Sequence, residues 1–327
     1  MCTSPRGRKT TVKKNEILNV IEDLMGEDIA GFPINLVRRS RRSTYKLSEE
    51  LKEIDISVCP SSVGKILKIG NFSLRVNRKC VSETHHPDRN RQFEIISETR
   101  KRFEDKGQPI ISIDSKKKEL IGNFKNSGKT WRKNYDKVYD HDFRSQAIGI
   151  AAPYGIFEPV YNLGTVVVGK SYDTPEFAVN CIDLWFNTFA QKRYQNVKEL
   201  LILCDGGGSN GSRVRLWKTE LQKFADEIGK ELHIRHLPPG TSKWNKIEHR
   251  MFCHITENWR GRPLTSRMAI VNLISNTRTQ KGLSIQAEID DRCYEKGKKV
   301  SDEELSALAI THCGFHGEWN YCVSPKK

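Results

Sequence analysis

Three carboxylates stand where metal-dependent chemistry would need them. Asp205 follows the apolar run Leu200-Leu201-Ile202-Leu203-Cys204 and precedes Gly206-Gly207-Gly208-Ser209-Asn210-Gly211. Glu248 lies early in a helical pattern, Thr241 to Arg250, that starts after the stop Pro238-Pro239-Gly240. Asp114 closes the strand-like run Pro109-Ile110-Ile111-Ser112-Ile113. Acids brought to one place by separate elements can hold two divalent cations, which clamp the attacking and leaving oxygens of a phosphodiester displacement. An all-oxygen donor set that keeps water positions open suits Mg²⁺, with Mn²⁺ as a substitute. Taken singly, each acid reads more readily as a solvated strand-end or helix residue than as a metal ligand. The weight comes from all three holding matching topological places. Asp140 and Asp142 are rivals for the first acid, but they sit in irregular sequence, and site carboxylates need rigid supports.

Several elements must position these acids. After Asp114, Ser115-Lys116-Lys117-Lys118 turns the chain, and Glu119 to Phe124 alternates as a hairpin partner. Residues 125–160 read as irregular. Thr165 to Gly169 is a third strand, and Thr174 to Phe189 a helix with Pro175 at a tolerated early position. A further helix and the strand Leu232 to Leu237 follow Asp205. From 109 to 259 the order is β-β-β-α-β-α-β-α. This α/β order is that of the ribonuclease H-like fold, used by DDE transposases, integrases and several nucleases. Trp244 and Trp259 are expected in the core of the last helix. Ser209 and Asn210 are expected to cap the helix after the glycines.

The chain ahead of residue 107 reads as helical. Glu16 to Met25 carries a helical apolar stripe. Thr44 to Glu53 has Leu47 and Leu51 one turn apart, and Ser61 is the expected cap of a second helix, Ser62 to Ile69. A short helix, a tight connector and a second helix with Ser62, Lys65 and Lys68 outward resemble a helix-turn-helix, although a plain helical hairpin fits the same pattern. Arg89 to Lys106 is one more helix. The expected division is 1–43, a basic segment with a short helix; 44–106, a helix-turn-helix region and linker helix; and 107–327, the catalytic domain.

Among the 327 residues, 55 Lys and Arg against 40 Asp and Glu give a net charge of +15, which favours a polyanionic partner, above all nucleic acid. Candidate DNA contacts are Arg38, Arg39, Arg41, Arg42, Ser62, Lys65, Lys68, Arg78 and Lys79 ahead of the acids. Around the acids they are Lys116, Lys117, Lys118, Arg213, Arg215, Lys243 and Lys246. No stretch approaches the roughly 20 apolar residues of a membrane span, and no signal peptide is visible. Nine scattered cysteines read as reduced cytosolic thiols. Gly206-x-Gly208-x-x-Gly211 formally matches a dinucleotide fingerprint, but Asp226 and Glu227 precede the following strand instead of ending it, so no nucleotide cofactor is expected. His312, Cys313, His316 and Cys322 suggest zinc, yet their spacing fits no standard finger.

The segments ISIDSKKKELIGNFKN, DHDF, APYGIF, CDGGGSNGSRVRLWK, PPGTSKWNKIEHR, NWRGRPL and FHGEWNY resemble the ISAzo-like, or Rhodopirellula-type, DDE transposases of bacterial insertion sequences, over roughly residues 40 to 323. The step Asn245-Lys246-Ile247-Glu248 also resembles the third-acid step of the mariner relatives. The resemblance implies DNA transposition by an Asp-Asp-Glu triad, here Asp114, Asp205 and Glu248, with Mg²⁺. It further implies element ends and target DNA as partners, a homo-oligomer on DNA, and a cytoplasmic, nucleoid-associated location. Members usually carry a further helix-turn-helix ahead of the segment resembling Gly7 to Arg42, so the chain is expected to be a truncated or misstarted copy. The alternatives are a repurposed non-catalytic DNA-binding protein and a ribonuclease H-like nuclease without strand transfer.

Overall fold

The computed structural model describes residues 9–26, 42–74, 86–194 and 196–326. The chain divides into two compact units, 1–81 and 82–327. The helix at Arg89, grouped with the DNA-binding region at the sequence level, falls within the second unit. Arg38, Arg39, Arg41, Arg78 and Lys79 lie outside the described residues.

The first unit holds α1 (Lys9–Gly26), α2 (Thr44–Glu53) and α3 (Pro60–Ile69). Leu47 and Leu51, one turn apart on α2, face Val63 and Ile66 of α3 and Ile21 and Met25 of α1. The Ser43 hydroxyl accepts the Lys46 amide at 3.1 Å and caps α2. α3 begins earlier than its expected cap at Ser61. Cys59 holds the cap position and Pro60 the first turn, where its missing N–H costs nothing.

The second unit is a mixed α/β sheet flanked by helices. In chain order it comprises α4 (Arg89–Asp105), β1 (Ile110–Ser115), β2 (Glu119–Ile121), β3 (Gly149–Glu158), β4 (Leu163–Gly169), α5 (Pro175–Leu184), β5 (Glu199–Cys204), α6 (Arg215–Ile228) and β6 (Glu231–His236). There follow α7 (Cys253–Trp259), α8 (Arg267–Ser275), β7 (Ser284–Asp290), α9 (Asp302–Ser306), β8 (Ile310–His312) and β9 (Asn320–Val323). The strand order is β7-β4-β3-β1-β5-β6-β9-β8, with β2 paired to the start of β3. β1, β5 and β6 are parallel, and β3 runs antiparallel to both β1 and β4. The carboxyl ends of β1, β4, β5 and β6 therefore share one edge. Among the described residues no helix is long and apolar enough to cross a membrane.

Period-two alternation divides the core. Ile111, Ile113, Tyr154, Ile156 and Val167 pack with α5 and α6, whereas Ala151, Phe157, Val166 and Val168 pack with α7 and α8. α4 closes over Leu201 and Leu203 of β5 through Ile96 and Phe103.

Two expectations are corrected. Residues 125–160 are not irregular throughout, because β3 occupies 149–158 and is the antiparallel neighbour of β1. The short β2 pairs with β3 and not with β1 as a hairpin partner. Gly149, Pro153 and Gly155 disguise β3 as a turn-rich stretch. Yet the Pro153 carbonyl accepts the Lys116 amide at 2.9 Å. A Cβ at Gly155 would meet Phe252 at 2.5 Å and Met251 at 2.7 Å, so the glycine admits the segment that carries Glu248.

Candidate active site

Asp114 is the penultimate residue of β1, opposite Gly155. It is only 8% exposed, and its Oδ1 accepts the Ser115 amide at 2.8 Å. Burial raises its pKa to about 8, and the charges of Asp205 and Glu248 add to the effect. The principal influences on it include no basic side chain among the described residues.

Asp205 immediately follows β5, one strand away from Asp114. Burial raises its pKa, opposed by hydrogen bonds from the Gly207 amide and from Asn210, whose Nδ2 donates to Oδ1 at 3.4 Å. The glycines thus let the backbone fold back on the carboxylate. Ser209 and Asn210 form a 3₁₀ turn and do not cap α6, which starts after Val214 without a side-chain cap.

Glu248 opens a π-helical turn, Glu248–Phe252, that runs into α7. Such turns recur at functional sites because the extra residue re-aims side chains. Burial raises the Glu248 pKa; Lys116 and His249 oppose the rise and Asp205 adds to it. Asn245 ties this segment to β1. Its Nδ2 donates to the Ile113 carbonyl at 3.0 Å, and its Oδ1 accepts the Ser112 hydroxyl. Asn245 is 2% exposed, and its positioning role was missed from sequence although it lies in the quoted Asn-Lys-Ile-Glu step.

The fold therefore brings Asp114, Asp205 and Glu248 to one edge, close enough for each pair to interact by charge. Asp140 and Asp142 are exposed in an irregular segment and take no part. Beside Asp205 lies an open cavity of about 610 Å³ whose walls include Gly206, Gly208, Arg213, Pro238 and Trp319.

The basic residues divide. Lys117, Lys118, Arg213 and Lys243 are exposed beside the edge. Lys116 is folded inward, its ammonium 4.6 Å from the Trp259 ring and 3.9 Å from Glu119. Burial lowers the pKa of Lys116, and also that of Lys246. Arg215 is engaged by Asp302 at 2.6 Å. In the first unit Lys65 and Lys68 are exposed, Ser62 is half-buried, and Arg42 pairs with Glu50 at 2.9 Å. His249 turns its Nε2 to the Lys243 carbonyl. Trp259 is buried as expected, but Trp244 is 50% exposed, because it lies on a 3₁₀ turn where Phe93 and Arg89 of α4 stack on it. His312, His316 and Cys322 turn to different partners, respectively the Gly317 carbonyl, Asp88 with Glu318, and His233.

Asp114, Asp205 and Glu248 thus stand at the carboxyl edge of the mixed sheet, with no basic side chain among the main influences on Asp114 or Asp205. Residues 20–325 match the family described as Rhodopirellula transposase DDE domain. The chain belongs to this family and is a DNA transposase of the DDE class, an enzyme of metal-dependent DNA cleavage and strand transfer. No curated protein sequence matches the chain. Among solved structures, the mariner Mos1 paired-end complex with Mg is similar at a TM-score of 0.43 and 13% identity, covering 83% of this chain and 72% of that one. The Mos1 transposase paired-end complex with left transposon end gives 0.41 and 12%, covering 83% and 71%. The Mos1 mariner paired-end complex with Mn gives 0.40 and 12%, with the same coverage.

Proposed function

We propose that Asp114, Asp205 and Glu248 are the catalytic triad of this transposase, set in a ribonuclease H-like domain, and that they hold two divalent cations, Mg²⁺ or Mn²⁺. One observation carries the reading: burial raises the pKa of all three acids, the charges of Asp205 and Glu248 add to the rise at Asp114 and that of Asp205 to the rise at Glu248, and among the described residues the opposing basic side chains are Lys116 and His249, both at Glu248. Such an arrangement is costly unless a cation is added. The donor set is all carboxylate oxygen, which fits Mg²⁺. When bound, the ion pair supplies charge stabilisation to the attacking and leaving oxygens of the phosphodiester. The chain's own part is orientation. β1 and β5 fix the two aspartates, and Asn245 locks the Glu248 turn onto β1. Exposed Lys117, Arg213 and Lys243 beside the edge neutralise the phosphates of element-end and target DNA.

The first unit serves in this reading as the helix-turn-helix that recognises element ends, with Ser62, Lys65 and Lys68 on its reading helix. The family resemblance extends the reading to a homo-oligomer that holds two ends. The experiment is a labelled element end with Mg²⁺, scored for binding and for nicking. Asp205→Asn abolishes nicking and strand transfer and leaves binding intact or slightly tighter. Lys65→Ala with Lys68→Ala weakens end binding and leaves nicking of nonspecific DNA unchanged. If Asp205→Asn cuts as well as the parent, the triad reading fails.

A further inference from the structure

We propose that His86, Asp88 and His316 form a second cation site, one that takes a nitrogen-seeking transition metal such as Zn²⁺. It is separate from Asp114, Asp205 and Glu248, which offer oxygen alone. The three residues carry ligand atoms that all lie within 4.8 Å of one another. They come from two distant stretches. His86 and Asp88 stand at the entry to α4, and His316 stands between β8 and β9, 228 residues from Asp88. The spacing of His312, Cys313, His316 and Cys322 fits no finger because the partners of His316 come from elsewhere in the chain. Two imidazoles and one carboxylate suit Zn²⁺, which can take three protein ligands and keep a further position open. Mg²⁺ prefers oxygen donors and competes poorly for such a set.

Their surroundings suit a cation. His86 Nδ1 accepts the Asp88 amide at 3.2 Å, so a lone pair and not an N–H stands there, 3.8 Å from Asp88 Oδ2. Two acceptors this close repel unless a positive charge stands between them. Asp88 holds the cap position of α4, yet its side chain makes no cap hydrogen bond and turns to His316 Nε2 at 2.8 Å instead. On the far side of the same ring, His316 Nδ1 meets Glu318 Oε1 at 2.8 Å. A carboxylate that accepts from Nδ1–H leaves the Nε2 lone pair to a metal, the usual support of a ligating histidine. Trp319 fixes both rings: His316 stacks on it at 4.0 Å, and His86 meets it edge-on at 4.8 Å. His316 is held in the left-handed backbone region, at φ 43°, which side chains with a β-carbon seldom adopt. His86, Glu318 and Trp319 also line the open cavity beside Asp205, which gives an ion a path in from solvent.

A metal-free explanation competes. A protonated His316 between Asp88 and Glu318 pairs with both carboxylates and supplies the positive charge itself. His86 then does no more than accept the Asp88 amide and pack on Trp319. The two explanations therefore part at His86. A second donor group, Glu231, His233 and Cys322, is a rival place for the same metal, but it would bind through sulfur as well.

The test is titration of the full untagged chain with Co²⁺, a spectroscopic substitute for Zn²⁺, in excess Mg²⁺ that fills the acid edge. Zn²⁺ affinity is then read by competition with a chromophoric chelator. The parent, His86→Gln, Asp88→Asn, His316→Gln, Glu318→Gln and Asp205→Asn are compared, and circular dichroism reports folding of each. We expect the parent to bind one Co²⁺ with the visible bands of nitrogen and oxygen ligation and no thiolate charge-transfer band. Each lost ligand, in His86→Gln, Asp88→Asn and His316→Gln, should weaken Zn²⁺ binding by more than about 100-fold, and Glu318→Gln by about 10- to 100-fold, the scale of a lost supporting group. Asp205→Asn should match the parent. A parent that binds neither ion overturns the site in favour of the protonated His316. A thiolate band moves the metal to a cysteine and overturns it as well. So does His86→Gln binding as tightly as the parent. Asp205→Asn losing the ion puts the metal at the acid edge and has the same force. Should Asp88→Asn or His316→Gln fail to fold, the parent spectrum and His86→Gln decide, because the ion pair gives His86 no part. The triad reading stands or falls separately, on the nicking of Asp205→Asn.

Discussion

At the residue scale, the proposed reading makes the protonation of Asp114 couple metal binding to stability. Its carboxyl has a folded-state pKa of about 8, against an ordinary value of 3.8. The raised value means that the proton stabilises the fold fully below about pH 3.8, and that this contribution is lost as pH rises towards 8. Cations compete with that proton for the same oxygens. Adding Mg²⁺ should therefore raise the melting temperature more at pH 8 than at pH 5. Scanning calorimetry at the two pH values checks this, and an equal rise at both would argue against metal at Asp114. Asn245 acts at the same scale. Asn245→Ala leaves the Ser112 hydroxyl and the Ile113 carbonyl without their buried partner, which costs about 1–3 kcal/mol. Urea unfolding measures the loss, and DNA nicking should fall with it because the Glu248 turn loses its tie to β1.

At the element scale, the contact between β3 and the π-helical turn sets where Glu248 stands. Gly155 lets Phe252 and Met251 approach the strand closely. Gly155→Val forces that turn outward, with an expected destabilisation of about 1–3 kcal/mol from overpacking. The same change moves Glu248 away from Asp114, so residual nicking should drop by more than the stability loss explains. Nicking measured well below the melting temperature separates the two effects; normal activity in a folded Gly155→Val protein would show that the contact does not position the acid. α4 plays a quieter part. Gln92 donates to the His236 carbonyl at 2.8 Å and accepts from Asn320 at 2.7 Å, which joins α4 to β6 and to the start of β9. The loop after β6, which leads towards Glu248, thus starts from a fixed strand end.

At the scale of the whole molecule, charge governs the encounter with DNA. A net charge of +15 on 327 residues provides a long-range attraction for a polyanion. The logarithm of the affinity should fall linearly with the logarithm of salt concentration, by about 0.9 for each phosphate neutralised. Fluorescence anisotropy across a salt series measures that slope. Binding indifferent to salt would remove the electrostatic grip from the account. Lys117→Ala, exposed beside the acids, should lower the slope by about one if it meets a phosphate, whereas inward-turned Lys116 should act through Glu248 and change nicking instead.

Asp114, Asp205 and Glu248 could be picked out before any coordinates, because each closes or opens an element whose apolar pattern is strong: Ile110 to Ile113, Leu200 to Cys204, and the helix that buries Met251, Ile255 and Trp259. Periodicity is a local property, and buried strands and amphipathic helices write it into the chain. The partner of β1 was not legible in this way. β3 is built from Gly149, Pro153 and Gly155, residues that signal turns locally but serve close packing in the folded sheet. The exposure of Trp244, the inward turn of Lys116 and the loss of Arg215 to Asp302 were equally hidden, since each depends on a residue distant in sequence. The sequence by itself determined which acids were available and on what elements; the tertiary structure alone decided which of them share a sheet edge, because burial and charge coupling depend on distances that pairing across the sheet creates.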